Sequence, residues 1–191
     1  MDTFGHIKSV IVIIMGLSIA KLLQGAVKLI QHPGRTKPYW VHLLWALYLF
    51  LLLTHFWWWE YRLKDVSSWS FPVYFFLVLY IVMYYTLCAL LFPDDLKDYN
   101  DRYEEYFYSK QKKWFFGVLA ASFVADVVDT FLKGRDYFLQ SNMEYPIRNG
   151  VHFILCLVAM KVMNKRFHAA LVILFLLYEL TYILRLFDTV S

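Results

Sequence analysis

WSFPVYFFLVLYIVMYYTLCALLF, residues 69–92, runs its whole length without an Asp, Glu, Lys or Arg. At a rise of about 1.5 Å per residue, a helix of this length exceeds the ~30 Å needed to cross a hydrocarbon core. A helix in a water-soluble bundle carries a polar stripe, and this one has none. YWVHLLWALYLFLLLTHFWWW, residues 39–59, is a second uncharged run of the same kind.

Four more apolar runs, 7–30, 114–132, 147–163 and 168–187, have similar lengths but are interrupted by charge. Together the six predict an all-α, polytopic integral membrane bundle, with 1–191 as one transmembrane domain. The composition agrees: 60% of residues are hydrophobic, 20% are aromatic, and the mean hydropathy is +0.47. Tyr39, Trp40, Trp57, Trp58, Trp59, Trp69 and Trp114 fall at the ends of these runs, where amphipathic rings prefer the headgroup level. No cleaved leader is expected, because Met1–Lys8 is not a basic segment and the first run continues past Ala20 in register. Cys88 and Cys156 lie within spans and read as packing residues, not as disulfide or zinc ligands.

The net charge is +4. Its distribution excludes a nucleic-acid partner, since the basic residues gather at span ends and form no groove lined with stacking rings. Six spans place the loops after the first, third and fifth on one side. Lys28, Arg35, Lys37, Lys97, Arg102, Lys110, Lys112, Lys113, Lys161, Lys165 and Arg166 lie near those loops. The opposite side has Lys8, Arg62, Lys64, Lys133, Arg135, Arg148 and Arg185. The positive-inside rule makes the first side cytoplasmic and puts both termini outside. The stretches WVHLLWALYLF (40–50) and LLFPDD (90–95) resemble those of small bacterial multipass proteins, which implies a bacterial cytoplasmic membrane.

Residues 94–113 form the one long polar connector. Leu96, Tyr99, Tyr103, Tyr106 and Phe107 recur near helical spacing, with Asp98 and Arg102 placed for an i,i+4 pair on another face. The pattern predicts an amphipathic interfacial helix, lying on the inner leaflet or packed on the bundle as an ordered connector. Its aromatic face also offers a handle for a cytosolic or membrane protein partner.

Charges inside the runs carry the functional signal, because a charge in hydrocarbon normally faces a bundle interior, a partner or water. Lys21 and Lys161 have stems long enough to reach the inner headgroups. Asp126 and Glu179 sit about 18 and 16 Å past the inner ends of their spans, and Asp129 is one turn beyond Asp126. Short carboxylates there must be paired, hydrated or protonated. By depth, Arg185 is expected to pair with Asp129 or Asp126, within a network that includes His55, His152 and Glu60. Glu179, with no basic partner at its depth, is the expected functional carboxylate.

Three functions fit this pattern. In the first, an ion or proton passes through a homo-oligomeric bundle by way of Glu179, Asp126 and Asp129. The second is a membrane enzyme acting on a lipid or isoprenoid, although there is no Walker loop, dinucleotide fingerprint, GxSxG elbow or HExxH. The third is a non-catalytic subunit that docks a partner through 94–113. No cofactor and no metal site are predicted. The alternative is haem held between His55 and His152 at equal depth, with His42 and His168 as a second such pair.

Overall fold

The computed structural model describes residues 3–66, 69–133 and 143–186. It is all-α, with seven helices among these residues: α1 Thr3–Gln31, α2 Trp40–Trp59, α3 Phe71–Leu91, α4 Tyr103–Phe107, α5 Lys110–Leu132, α6 Glu144–Lys161 and α7 Lys165–Leu186. Five of them (α1, α2, α3, α5 and α7) are long and apolar enough to cross a membrane. Regular helix is what hydrocarbon demands, since every backbone N–H and C=O must be satisfied within the segment.

Helix α6 differs from those five. It is 18 residues long and includes Glu144, Arg148 and Lys161, whereas the sequence pattern predicts an apolar span over 147–163. It nevertheless runs between the same two ends as its neighbours. At one end Val162 is tied to the starts of α5 and α7, and at the other Glu144 is tied to the end of α7. Its buried stripe is Tyr145, Arg148, Asn149, His152, Cys156 and Ala159, polar in the first turns and small afterwards.

The helices alternate in direction, and α1 packs on α3, α3 on α5, α5 on α6, and α2 on α7 and α3. The connector end gathers residues 32–39, 92–109 and 162–164. Lys37 donates its backbone N–H to the Asp101 carbonyl at 2.8 Å and accepts from Tyr103 N–H at 3.1 Å. The Tyr39 and Tyr108 hydroxyls meet at 3.1 Å, and Lys165 pairs with Glu104. At the far end, Lys8 lies over the Trp57 ring and Lys133 reaches Glu60.

The connector is not one long helix. Lys97–Tyr99 forms a short 3-10 turn, and Asn100 and Asp101 follow at φ 53° and 55°. Two successive non-glycine residues in the left-handed region stop a helix. Helix α4 is five residues long, and Ser109 then caps α5 by accepting from Gln111 N–H. The fourth long helix therefore begins at Lys110, not at Trp114. Leu96, Tyr103, Tyr106 and Phe107 are buried against the bundle, and Tyr99 stacks edge-on to Tyr106. Of the two placements the pattern allowed, this is the packed connector. Asp98 makes no pair with Arg102, whose guanidinium goes instead to Glu105 at 3.1 Å.

The middle of the bundle is aromatic. Trp45, fully buried, meets Tyr48, Phe115, Phe116 and Phe175 edge-on, with ring centroids 5.3–5.5 Å apart. Helix association in lipid rests on such packing, because lipid tails are as apolar as the side chains. A close approach of this kind occurs at Gly25, where the Phe92 ring lies directly on the backbone and fills the space a Cβ would take. Gly25→Ala should destabilise the protein by about 1–3 kcal/mol, seen as a lower melting temperature in detergent. Gly16→Ala, with nothing near its Cβ position, should melt like the parent.

Candidate functional site

Between the aromatic layer and the far end, polar side chains from α2, α3, α5, α6 and α7 converge. Glu179 on α7 is 1% exposed and lies between two bases. His55 Nδ1 on α2 is 2.5 Å from Oε1, and Arg148 Nη2 on α6 is 2.9 Å from Oε2. The guanidinium also lies 4.4 Å over the Tyr182 ring. Helical spacing on α6 then places His152 one turn after Arg148, where its Nδ1–H donates to the Arg148 carbonyl at 2.8 Å. The His152 ring is packed on Phe123 and Phe175.

Asp126 on α5 has a different setting, one made of neutral donors. Tyr80 Oη donates to Oδ1 at 3.2 Å, while Tyr145 Oη and Asn149 Nδ2 donate to Oδ2 at 2.9 and 2.8 Å. Tyr145 is itself held by Thr130 at 2.6 Å, and Tyr80 meets Tyr84 at 3.0 Å. A cavity of about 30 Å³ lies among Asp126, His55, Arg148, Tyr84, Tyr145 and Tyr182. That is room for one or two water molecules, and Leu52, Phe56 and Trp59 complete a lining of mixed polar and apolar groups.

A third cluster closes the far end. Lys133 Nζ is 2.5 Å from Asp129 and 2.7 Å from Glu60, with all three side chains at most 3% exposed. Glu60 Oε2 and Asp129 Oδ1 are buried and meet no hydrogen-bond donor among the described residues. Two carboxylates share one cation, so full ionisation leaves a net negative charge in a buried place. Burial, and then the Asp129 carboxylate, push Glu60 up to about 8 against the pull of Lys133. Burial works to lower the Lys133 ammonium, but the two carboxylates outweigh it and hold it above its ordinary value.

Three expected pairings are corrected. Arg185 does not reach Asp126 or Asp129; it forms a bidentate, half-exposed pair with Glu144 at 2.6 and 3.1 Å, and Tyr178 donates to the same carboxylate. Depth along the span was a sound guide, but α7 turns this face toward α6. Glu179 does have a basic partner at its depth, because α6 begins at Glu144 and carries Arg148 inside the bundle. Asp126 and Asp129, one turn apart on α5, serve separate clusters. Lys21, by contrast, reaches the connector end as its long stem allows, and pairs with Asp94 at 2.8 Å.

The histidines are held by the protein. His42 Nε2 donates to the Leu91 carbonyl at 2.6 Å, and His168 Nε2 to Val162 at 2.9 Å. The space beside His55 is far smaller than a porphyrin. Among the described residues no group of three or more His, Cys, Asp or Glu side chains is placed to hold a metal ion.

Arg148, Tyr145, Asn149 and Lys133 are the site residues that the apolar-run reading missed. The signal for the α6 residues was the repeat Tyr145, Arg148/Asn149, His152, Cys156 and Ala159, one helical face that continues across the predicted start of the span. No protein family, curated protein or solved structure matches the chain.

Two measurements probe these clusters. Arg148→Ala leaves Glu179 buried beside His55 alone and should cost roughly 3–5 kcal/mol of stability; Arg185→Ala, at a solvent-exposed pair, should lower the melting temperature far less. Glu60 holds a proton in the folded chain that it releases near pH 4.5 when unfolded. Its contribution is therefore complete below pH 4.5 and is lost as pH rises through about 8. Melting temperature in detergent should fall over that window, and Glu60→Gln should flatten the fall.

Proposed function

We propose that the chain is a proton-handling membrane transport protein. The observation that carries this reading is the shared cavity: Asp126, held by neutral donors, and His55 and Arg148, the two bases that hold Glu179, border the same water-sized space. A carboxylate, a water and an imidazole in sequence are the groups that pass protons within membrane bundles. His55 can take a proton on the cavity side while Glu179 and Arg148 fix its ring. Asp126 faces the same space and accepts hydrogen bonds from the neutral donors Tyr80, Tyr145 and Asn149.

Transport in this reading proceeds by rearrangement and not through a standing pore. Trp45, Tyr48, Phe115, Phe116 and Phe175 fill the bundle between the cavity and the connector end. Trp45 Nε1 and Tyr48 Oη are buried there without hydrogen-bond partners among the described residues, a cost of roughly 1–3 kcal/mol each. A second arrangement in which these donors meet the polar half would recover that cost and open the layer. All the polar groups come from one chain, so a homo-oligomer is not needed to build the site.

In the same reading α6 is a sixth crossing, its charges buried inward, and the Lys- and Arg-rich connector end faces the cytoplasm of a bacterial cell. Both termini are then outside. A lipid-processing enzyme is less well supported, since a cavity of about 30 Å³ has no room for a headgroup.

Protein reconstituted into liposomes with a trapped pH dye should move protons when a pH gradient and a counter-ion path are imposed. Asp126→Asn keeps hydrogen-bonding capacity but cannot ionise, and should reduce that flux to the level of empty liposomes without unfolding the protein. Flux in Asp126→Asn equal to that of the parent would overturn the reading.

A further inference from the structure

At the connector end a second and larger cavity, about 260 Å³, opens between the end of α1 and the turn that follows α3. It is separate from the proton site and lies beyond the aromatic layer. Its walls carry Lys28, His32 and Arg35 on one side, and Asp94, Asp95, Lys97 and Asp101 on the other, with Leu29, Leu96 and Tyr103 as the floor. The charges are not equivalent. Asp94 is taken by Lys21 and Asp95 by Lys97. Among the described residues Lys28 and Arg35 form no ion pair with a carboxylate, and Asp101 forms none with a cation. Lys28 acts on Asp94 only through space, so the cleft offers two cations outside any ion pair, facing one unpaired anion.

Each wall is held in place by the fold. On the α1 side the chain turns through Pro33 and Gly34, with Gly34 at φ 88° and Arg35 N–H donating to the His32 carbonyl at 3.2 Å. On the other side Asn100 and Asp101 adopt left-handed backbone, and Asp101 is pinned through its N–H to Leu96 and through its carbonyl to Lys37. Strained backbone persists where the surroundings over-determine it, and here it sets Asp101 across from the cations. The α1 surface that leads to the cleft is bare and apolar: Val27 and Ile30 are 43% and 78% exposed.

We propose that this cleft binds the phosphate of a phospholipid headgroup between Lys28 and Arg35, with its amine at Asp101 and its acyl chains along the α1 face of Val27 and Ile30. Guanidinium and ammonium groups bind phosphate oxygens by charge-assisted hydrogen bonds. Asp101 adds a preference for an amine-bearing headgroup such as phosphoethanolamine over one with a neutral glycerol. The apolar face beside the cations selects a lipid over a soluble phosphate, although the phosphate chemistry is common to both.

The test uses the intact protein in nanodiscs and in delipidated detergent. Native mass spectrometry of the parent in equimolar phosphatidylethanolamine and phosphatidylglycerol should show one retained lipid, mostly phosphatidylethanolamine. Each cation near a headgroup contributes modestly, so Lys28→Ala with Arg35→Ala should lower retention about tenfold or more. Asp101→Asn should remove the preference for phosphatidylethanolamine and leave total retention in place. All three side chains are exposed, so the variants should melt like the parent; if the double alanine variant does not fold, Lys28→Gln alone, which keeps the stem, serves in its place and should still lower retention. Unchanged retention in the folded cation variants would overturn the proposal. So would equal thermal stabilisation of delipidated protein by inorganic phosphate or soluble glycerophosphoethanolamine, which would identify the occupant as a soluble anion.

Discussion

Everything in the far half of this bundle depends on the electrostatic cost of a buried carboxylate. Asp126, Asp129 and Glu179 project into a region where water cannot solvate them, and an uncompensated charge there would be prohibitive. The chain meets that constraint in three chemically different ways. Glu179 has two bases, Arg148 and His55. Asp126 has three neutral donors and a cavity. Asp129 shares one lysine with Glu60. Glu179 joins α7 to α2 and α6, Asp126 joins α5 to α3 and α6, and Asp129 meets Glu60 at the end of α2 through Lys133, so together they hold all five helices in one register. Packing forces alone are weakly directional in lipid, and these polar contacts supply the direction.

The same constraint explains the division of the molecule into two unlike halves. Polar groups can be buried only where partners are dense, and the donors of α6 are concentrated in its first turns, at Tyr145, Arg148, Asn149 and His152. Beyond them α6 offers Cys156 and Ala159, and the facing helices answer with Trp45, Phe115, Phe116 and Phe175. A polar half and an aromatic half thus follow from the composition of one helix. At the connector end most charges sit on the connector and at helix starts, where they are exposed. There Lys165 and Glu104 need no further support, and exposed pairs contribute little.

The helical membrane class was legible from Trp69–Phe92 and Tyr39–Trp59, because uncharged runs of that length have few other physical uses. The burial of Asp129 and Glu179 was legible from their depth alone, whereas Asp126 at the same depth is only half-buried. The partners of all three were not legible. Depth fixes position along a helix axis but says nothing about rotation around it, and rotation turns Arg185 toward Glu144 and brings Arg148 to Glu179. The connector was misread for a related reason. The spacing of Tyr99, Tyr103 and Tyr106 suits a helix, yet Asn100 and Asp101 break it, and both are among the few residue types that tolerate left-handed backbone. The aromatic residues there keep their burial without keeping the helix.

The arrangement around Glu179 sets how far the polar half can change. Its carboxylate is already satisfied on both oxygens, so a gain or loss of charge at His55 is felt directly by the Arg148–Glu179 pair. Asp126, bound only to neutral groups, has no such counterweight, and its charge acts across the cavity on Arg148 and His55 together. In the proposed proton-handling reading, a proton moving from Asp126 to His55 strengthens the hold of His55 on Glu179 while restoring the negative charge that faces Arg148. The carboxylates of α5 and α7 then both act on the one guanidinium carried by α6. Helix α6 is the shortest of the six long helices, yet it packs more extensively on α5 than any other two helices pack together, and the Val162 carbonyl at its end accepts from both Lys112 and His168. In that reading a change of protonation in the polar half is felt first at Arg148, inside a firmly packed helix.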